Sequence, residues 1–258
     1  MNPVLKQIIA TREVEDKNGN LINIDKTSIS YQEGDLIQKY IRHIKAERSL
    51  EVGLAYGTSS LYICDALEKT ERTAHYVIDP YQNNEGVVWE SIGIMNLKKA
   101  GFMDFTRFFE EPSHLAITQL EREKVEVDFV FIDGEHTFDH VLVDFFLSDK
   151  ILRDGGIIVF DDTDWPSIRR ACSFIIRNRD YKVLDFLPSY HTKKGLSMKH
   201  KLYQNIVYVQ ETLVPENTYF LPKDAQHGGK IDQMTAGGML VMQKIKSDTR
   251  AASYYNEF

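Results

Sequence analysis

Five titratable side chains fall within eight residues of the stretch FIDGEHTFDH, residues 131–140: Asp133, Glu135, His136, Asp139 and His140. The apolar residues just before them, 127–132, read as a buried strand. A carboxylate at a strand end with an imidazole three positions later can do one of three things. It can help to hold a cation, it can exchange a proton with a hydroxyl, or it can cap and solvate the next helix. His136 suits the second role, because an imidazole titrates near neutral pH and can take a hydroxyl proton; its structural alternative is a hydrogen bond to Asp133. Asp139 and His140 read as helix surface. An H-x-x-x-H zinc site is disfavoured, since no further Cys or His stands at ligand spacing.

Those residues need a scaffold, and the hydrophobic pattern supplies one. Strand-like runs at 48–54, 74–79, 105–109, 127–133, 156–161 and 181–187 alternate with helical stretches at 58–68, 86–100, 113–123, 138–152 and 165–178. Such alternation predicts an α/β fold with a doubly wound, mostly parallel sheet, in which ligands gather at the carboxyl ends of the strands. The first five runs close on acidic residues: Glu51, Asp79, Glu110–Glu111, Asp133 and Asp161–Asp162. Carboxylates around one crevice suit hydroxyls or a cation. Glu110 and Asp139 are read as solvated or capping groups. Asp164 is expected to cap the helix that follows, which leaves Asp161 and Asp162 free.

The first strand runs into LEVGLAYGTSS, with Glu51, Gly53, Tyr56, Gly57, Thr58 and Ser59. Glycines there allow close backbone approach to a ligand. The spacing departs from the G-x-G-x-x-G loop that cradles a pyrophosphate. Asp79 follows at the second strand end, where a carboxylate can accept ribose hydroxyls. A ribose reader without a pyrophosphate loop points to a nucleoside that carries no phosphate.

Composition narrows the class. The 258 residues are 43% hydrophobic and 27% charged, ordinary for a globular chain, and the net charge of −7 argues against nucleic acid as partner. Cys64 and Cys172 lack metal-type spacing and read as buried thiols in a reducing compartment. No run approaches the roughly 20 apolar residues a spanning helix needs, so no membrane partner is expected, and the start lacks a secretory leader. A cytoplasmic protein is the expectation.

The motifs together resemble the class I S-adenosylmethionine-dependent methyltransferases. Glu51–Gly57 is similar to their motif I, Asp79 to their ribose-holding acid, and Glu111-Pro112-Ser113-His114 to the segment whose Ser113 and His114 positions line the adenine. FIDGEHTF with LRDGGIIVFDD is similar to the metal-dependent small-molecule and sugar O-methyltransferases, including the catechol-type enzymes. The resemblance implies a Rossmann-like seven-stranded sheet with an antiparallel last strand. It implies S-adenosylmethionine bound by Glu51, Gly53, Tyr56, Gly57, Thr58, Ser59, Asp79, Ser113, His114 and Asp133, and Mg²⁺ held by Asp133, Asp161 and Asp162. Catechol-type enzymes carry a lysine base where this chain has His136, so His136 is the expected base, with Asp133 beside it. The implied acceptor is a hydroxyl of a sugar or other small metabolite. A metal-independent O- or N-methyltransferase is the alternative, and an NAD-dependent oxidoreductase a more distant one.

One methyltransferase domain over 1–258 is expected. Residues 1–45 would be a helical lead-in containing an amphipathic 35–44, with Tyr31 and Glu33 able to reach the cofactor. Residues 46–187 would form the cofactor-binding core, 188–236 an insertion or lid, and 237–258 the last strand and tail. The closing strand is expected at 238–245 rather than 205–210. A homo-oligomer is compatible with the sequence, which does not fix the oligomeric state.

Overall fold

The computed structural model describes residues 1–187, 238–251, 253, 254 and 256. The expectations of an insertion at 188–236 and of an alternative strand at 205–210 lie outside the described residues. Helix α1 (Pro3–Thr11) and the hairpin β1 (Glu13–Glu15) and β2 (Leu21–Asn23) come first, then α2 (Tyr31–Ile44). The sheet strands follow in alternation with helices: β3 (Arg48–Val52), α3 (Thr58–Ala66), β4 (Ala74–Ile78), α4 (Ile92–Lys99), β5 (Thr106–Phe109), α5 (Ser113–Arg122), β6 (Val127–Ile132) and α6 (Phe138–Ile151). The last are β7 (Leu152–Phe160), α7 (Pro166–Asn178), β8 (Tyr181–Leu187) and β9 (Met239–Lys244).

Seven strands form one sheet in the order β5-β4-β3-β6-β7-β9-β8. Strands β3 to β7 pair in parallel, whereas β9 is antiparallel to both β7 and β8. This is the doubly wound sheet with an antiparallel last strand anticipated from the sequence. Strand order reverses between β3 and β6, which is where such sheets open a crevice. The five parallel strands read as continuous apolar runs because both faces are covered. Phe129 and Phe131 enter one buried cluster with residues of α1 to α4, while Val130 and Ile132 enter the other with residues of α5 to α7.

Several boundaries differ from the sequence reading. The helix expected at 86–100 starts only at Ile92. Gly86 adopts φ +87° and Ser91 φ +61°, so the segment between β4 and α4 is turn-rich loop. Strand β7 begins at Leu152, ahead of the strand expected at 156–161. The N-cap position of α7 is Trp165, not Asp164. Helix α2 is fixed by a reciprocal capping box: Ser30 Oγ accepts from Glu33 N–H and Glu33 Oε2 accepts from Ser30 N–H.

The strand ends are stitched side by side. Gly53 N–H donates to Ile78 O, Asp79 N–H to Phe109 O, Asp133 N–H to Val52 O and Asp161 N–H to Ile132 O, at 2.9–3.1 Å. Each acidic strand-end residue is thereby held level with its neighbour's last carbonyl. Backbone pairing alone aligns the carboxylates along one edge.

Candidate active site

Two glycines shape the loop between β3 and α3. Gly53 has φ +96°, and a Cβ there would lie 2.0 Å from the carbonyl oxygen of Asp133. Gly57 has φ +76° at the N-cap of α3, and its Cβ would lie 3.0 Å from the Gly93 backbone. Both glycines therefore answer to protein backbone, in addition to any ligand that passes over the loop.

The side chains expected on the cofactor divide into two groups. The Glu51 carboxylate is fully buried and turned inward: it accepts from Ser59 Oγ at 2.5 Å and from Ser60 Oγ, and lies 3.1 Å from His75 Nε2. His75 in turn contacts Ser49 Oγ at 2.9 Å. Glu51 and Ser59 thus brace the first turn of α3 from below. Tyr56 is buried edge-on against Trp89, and its carbonyl accepts from Asn96 Nδ2. Thr58 stays at the loop with its Oγ1 buried and without a hydrogen-bond partner.

Asp79 is anchored to the same loop. Its Oδ2 accepts from Leu54 N–H, Ala55 N–H and Gln82 Nε2 at 3.0–3.3 Å, and its Oδ1 from Tyr81 N–H at 2.8 Å. A carboxylate oxygen has about two lone-pair sites. Oδ2 is fully used by the protein, and Oδ1 keeps capacity for a hydroxyl.

The other half of the edge carries unbalanced charge. His136 Nε2 is a buried atom of a half-buried ring and lies 3.1 Å from Asp162 Oδ2 and 3.5 Å from Asp133 Oδ1, an ion pair with both acids when the ring is protonated. One ligand atom each from Asp133, His136 and Asp162 falls within 4.8 Å of the others. Asp161 is not in that group. Its Oδ1 accepts from the N–H of Asp162, whose backbone stands at φ +51°, so Asp161 holds Asp162 in a strained conformation. Trp165 stacks on the His136 ring at 5.1 Å, and Ser167 Oγ donates to the His136 carbonyl at 2.5 Å, which together fix the imidazole.

Electrostatics follow from that crowding. Burial, followed by the charges of Asp133, Glu33 and Asp162, pushes the Asp161 carboxyl well above its usual range. Asp133 is likewise raised by burial and by Asp162, with His136 opposing. For His136 burial favours the neutral ring, but Asp133 and Asp162 outweigh it and hold the pKa above the ordinary value. Two carboxylates converging beside an imidazole fit a divalent cation held by the carboxylate oxygens, with the ring alongside it.

Ser113 stands at the start of α5 and donates its proton to Asp144 Oδ1 at 2.5 Å. His114 is exposed, and its carbonyl accepts from Thr118 Oγ1. Asp144, on α6, is only 2% exposed, and burial pushes its carboxyl up to about 6. No sequence motif flagged it. The signal available was its place on the buried stripe of α6, between Val141 and Phe145–Ser148, where a carboxylate is out of character. Of the lead-in residues, Glu33 is buried and its Oε1 accepts from Gly238 N–H at 3.3 Å, whereas Tyr31 is exposed.

The sheet order, the antiparallel last strand and the glycine loop at the reversal point define a class I methyltransferase fold. Residues 50–163 match the family model described as Methyltransferase domain. Two curated plant proteins are similar. Tapetum-specific methyltransferase 1 of Arabidopsis thaliana is 28% identical over 144 residues, 55% of this chain and 58% of that protein. Caffeoyl-CoA O-methyltransferase of Populus kitakamiensis is 26% identical over 145 residues, 54% of this chain and 56% of that protein. The chain thus matches little more than half the length of these relatives. Among solved structures, the O-methyltransferase TomG from Streptomyces achromogenes, involved in tomaymycin synthesis and in complex with SAM, superposes with a TM-score of 0.61 at 15% identity, covering 95% of this chain and 91% of that one. Among the described residues no helix is long and apolar enough to cross a membrane.

Proposed function

We propose that this chain transfers a methyl group from S-adenosylmethionine to a hydroxyl of a small molecule, with a divalent cation, Mg²⁺ as anticipated, at the acidic strand ends. The observation that carries this reading is the convergence of Asp133, His136 and Asp162 beside the Gly53–Gly57 loop of a methyltransferase domain. Similarity to enzymes named as O-methyltransferases favours oxygen as acceptor atom.

In this reading Asp79 Oδ1 holds the ribose, Ser113 and His114 stand at the adenine, and the loop from Gly53 to Thr58 lies under the methionine part. Asp133 and Asp162 would hold the cation, with Asp161 fixing Asp162 or adding a third oxygen. When bound, such a cation lowers the pKa of a coordinated hydroxyl. Methyl transfer is an in-line displacement and needs a partly deprotonated, aligned oxygen more than covalent help. His136 would receive that proton. It does so only where something other than its own charge balances Asp133 and Asp162, because an imidazolium between two carboxylates is not a base. That ion pair is also the one observation favouring the metal-free alternative, in which His136 neutralises the acids itself.

The test is a calorimetric titration with S-adenosylhomocysteine and NAD in parallel, followed by methyl transfer to a panel of hydroxylated small molecules with Mg²⁺ and with EDTA. Tight S-adenosylhomocysteine binding and loss of turnover in EDTA are expected. Full turnover in EDTA removes the cation from the account, and binding of NAD alone removes methyl transfer.

A further inference from the structure

We propose that this chain forms a symmetric homodimer in which helix α6 packs antiparallel against α6 of a second copy, about a two-fold axis passing between Asp144 and Phe145. The inference is independent of what the strand-end site binds.

Helix α6 carries an apolar stripe on its outward side. Val143 is 42% and Phe146 50% exposed, and among the described helices α6 alone carries two large apolar side chains left open to that degree. A single exposed apolar residue needs no explanation. The spacing sets these two apart. Asp139, Val143, Phe146 and Lys150 stand at i, i+4, i+7 and i+11, within about 60° of arc at 3.6 residues per turn. That is the seam spacing of helices that pack lengthwise. The partly buried Leu142 and Leu147 flank the stripe, one on either side.

Helix α5 broadens the face. Ser113 Oγ donates to Asp144 Oδ1 at 2.5 Å and Lys150 Nζ to Glu121 Oε1 at 3.1 Å, so the two helices run side by side in the same direction. Leu115, 51% exposed in the first turn of α5, therefore stands level with the middle of α6. The face is two helices wide, as the roughly 800 Å² that each partner of a stable dimer buries requires.

The order of residues along the stripe says what fits it. In a two-fold interface residue i meets residue j while j meets i. An axis between Asp144 and Phe145 sets Val143 against Phe146 of the second copy, Leu142 against its Leu147 and Asp139 against its Lys150, each pair twice. Apolar meets apolar and acid meets base in one register. A parallel arrangement would set Asp139 on Asp139 and Lys150 on Lys150, so charge selects the antiparallel one. The Asp139 side chain is 80% exposed and can turn to an incoming cation. Lys150 Nζ already lies 5.3 Å over the Phe146 ring, at the edge of the apolar patch. A lipid surface would satisfy the apolar centre and leave Asp139 and Glu121 against it, whereas a second copy supplies both.

The experiment is sedimentation velocity on the full chain from about 1 to about 100 µM, with Phe146→Asp, Asp139→Lys and Lys150→Glu. The unaltered protein is expected to sediment as a dimer. Phe146→Asp is expected to raise the dissociation constant at least tenfold with circular dichroism unchanged. Asp139→Lys and Lys150→Glu each set like charges together twice, and each is expected to weaken self-association severalfold. Mixed in equal amounts, these two variants restore both opposite-charge pairs and are expected to associate with each other more tightly than either does with itself. A monomer over the whole range overturns the proposal and leaves the stripe to another partner. A dimer that Phe146→Asp leaves intact overturns it as well, since the contact then lies elsewhere. The mixture decides the pairing even if Phe146→Asp fails to fold: a preference for the mixed dimer supports the antiparallel contact, and its absence overturns it.

Discussion

The two ends of the β6–β7 strand pair treat buried acid in opposite ways. Near the start of β7, Asp149 is surrounded by cations and donors: Arg179 forms an ion pair with it, Lys244 Nζ lies 3.4 Å away and Tyr181 Oη donates at 2.6 Å. Lys244 also donates to the carbonyls of Asp149 and Leu152. At the finish of the same strands, Asp133 and Asp162 share the His136 imidazole, while Asp161, pushed up by burial and by both neighbouring acids, lies outside that pairing. One end meets its acid with cations and donors, and the other crowds three acids beside one imidazole. That asymmetry separates scaffold from site more clearly than burial does, since both sets of carboxylates are largely buried.

The largest expected break comes at the cation-rich end. Asp149→Ala leaves the buried Arg179 with Asp248 at 3.5 Å as its acid and the buried Lys244 with backbone carbonyls, and should cost about 3 kcal/mol in urea unfolding. Asp144 lies between the extremes, an acid with a neutral hydroxyl as partner. Its carboxyl stands at about 6 in the fold against an ordinary value of 3.8, so its protonated form is favoured by folding. The stability it contributes is complete below pH 3.8 and lost as pH rises through about 6, a swing of about 3 kcal/mol at 1.36 per pH unit. Unfolding curves for Asp144→Asn should lack that slope between pH 4 and 6. At the acid-rich end, saturating Mg²⁺ should raise the melting temperature, by the equivalent of about 2.7 kcal/mol at a hundred times its dissociation constant. An unmoved melting temperature in calorimetric scans would count against the cation. The smallest effect has the opposite sign from the first: Asp161→Asn keeps an acceptor for Asp162 N–H while removing one of three like charges. It should stabilise the protein by about 1 kcal/mol at pH 8, with turnover reduced. If Asp149→Ala and Asp161→Asn shift stability in the same direction, the contrast between the two ends fails.

Most of the sheet was legible because strands buried on both faces are written as unbroken apolar runs. The alternation of strands with helices carried the doubly wound class, whereas the strand order and its reversal between β3 and β6 are seen only in the structure. The helix at 86–100 was overread because residues suited to a helix, Val87 to Glu90, belong to a loop shaped by Gly86 and by Ser91 at positive φ. Helix α1 fell within the expected helical lead-in without being delimited, and the β1–β2 hairpin went unread, although Asn18-Gly19 is a turn signal between its strands. In the site, Asp79, Asp133 and Asp162 could be placed from sequence since strand ends are fixed by ladder bonds. Glu51 could not: whether a strand-end carboxylate turns toward the crevice or beneath the next helix depends on Ser59, Ser60 and His75, which meet it only in three dimensions. The separation of Asp161 from the Asp133–His136–Asp162 group depends on one side-chain bond to the backbone, which no spacing reveals.

Strand β9 occupies the slot between β7 and β8, and Gly238 at its start bonds both Thr163 N–H and Glu33. On the ribosome, β7 with Asp161 and Asp162 emerges long before residue 239. Until β9 arrives, β7 has an open edge and the loop after it lacks the bond from Thr163 to Gly238. Competence therefore comes late in synthesis, at a single event, and a ribosome stalled before residue 238 would carry a nearly complete sheet whose acidic edge is unfinished. Unpaired strand edges invite association with other chains, so that interval is the one in which the nascent protein most needs a chaperone.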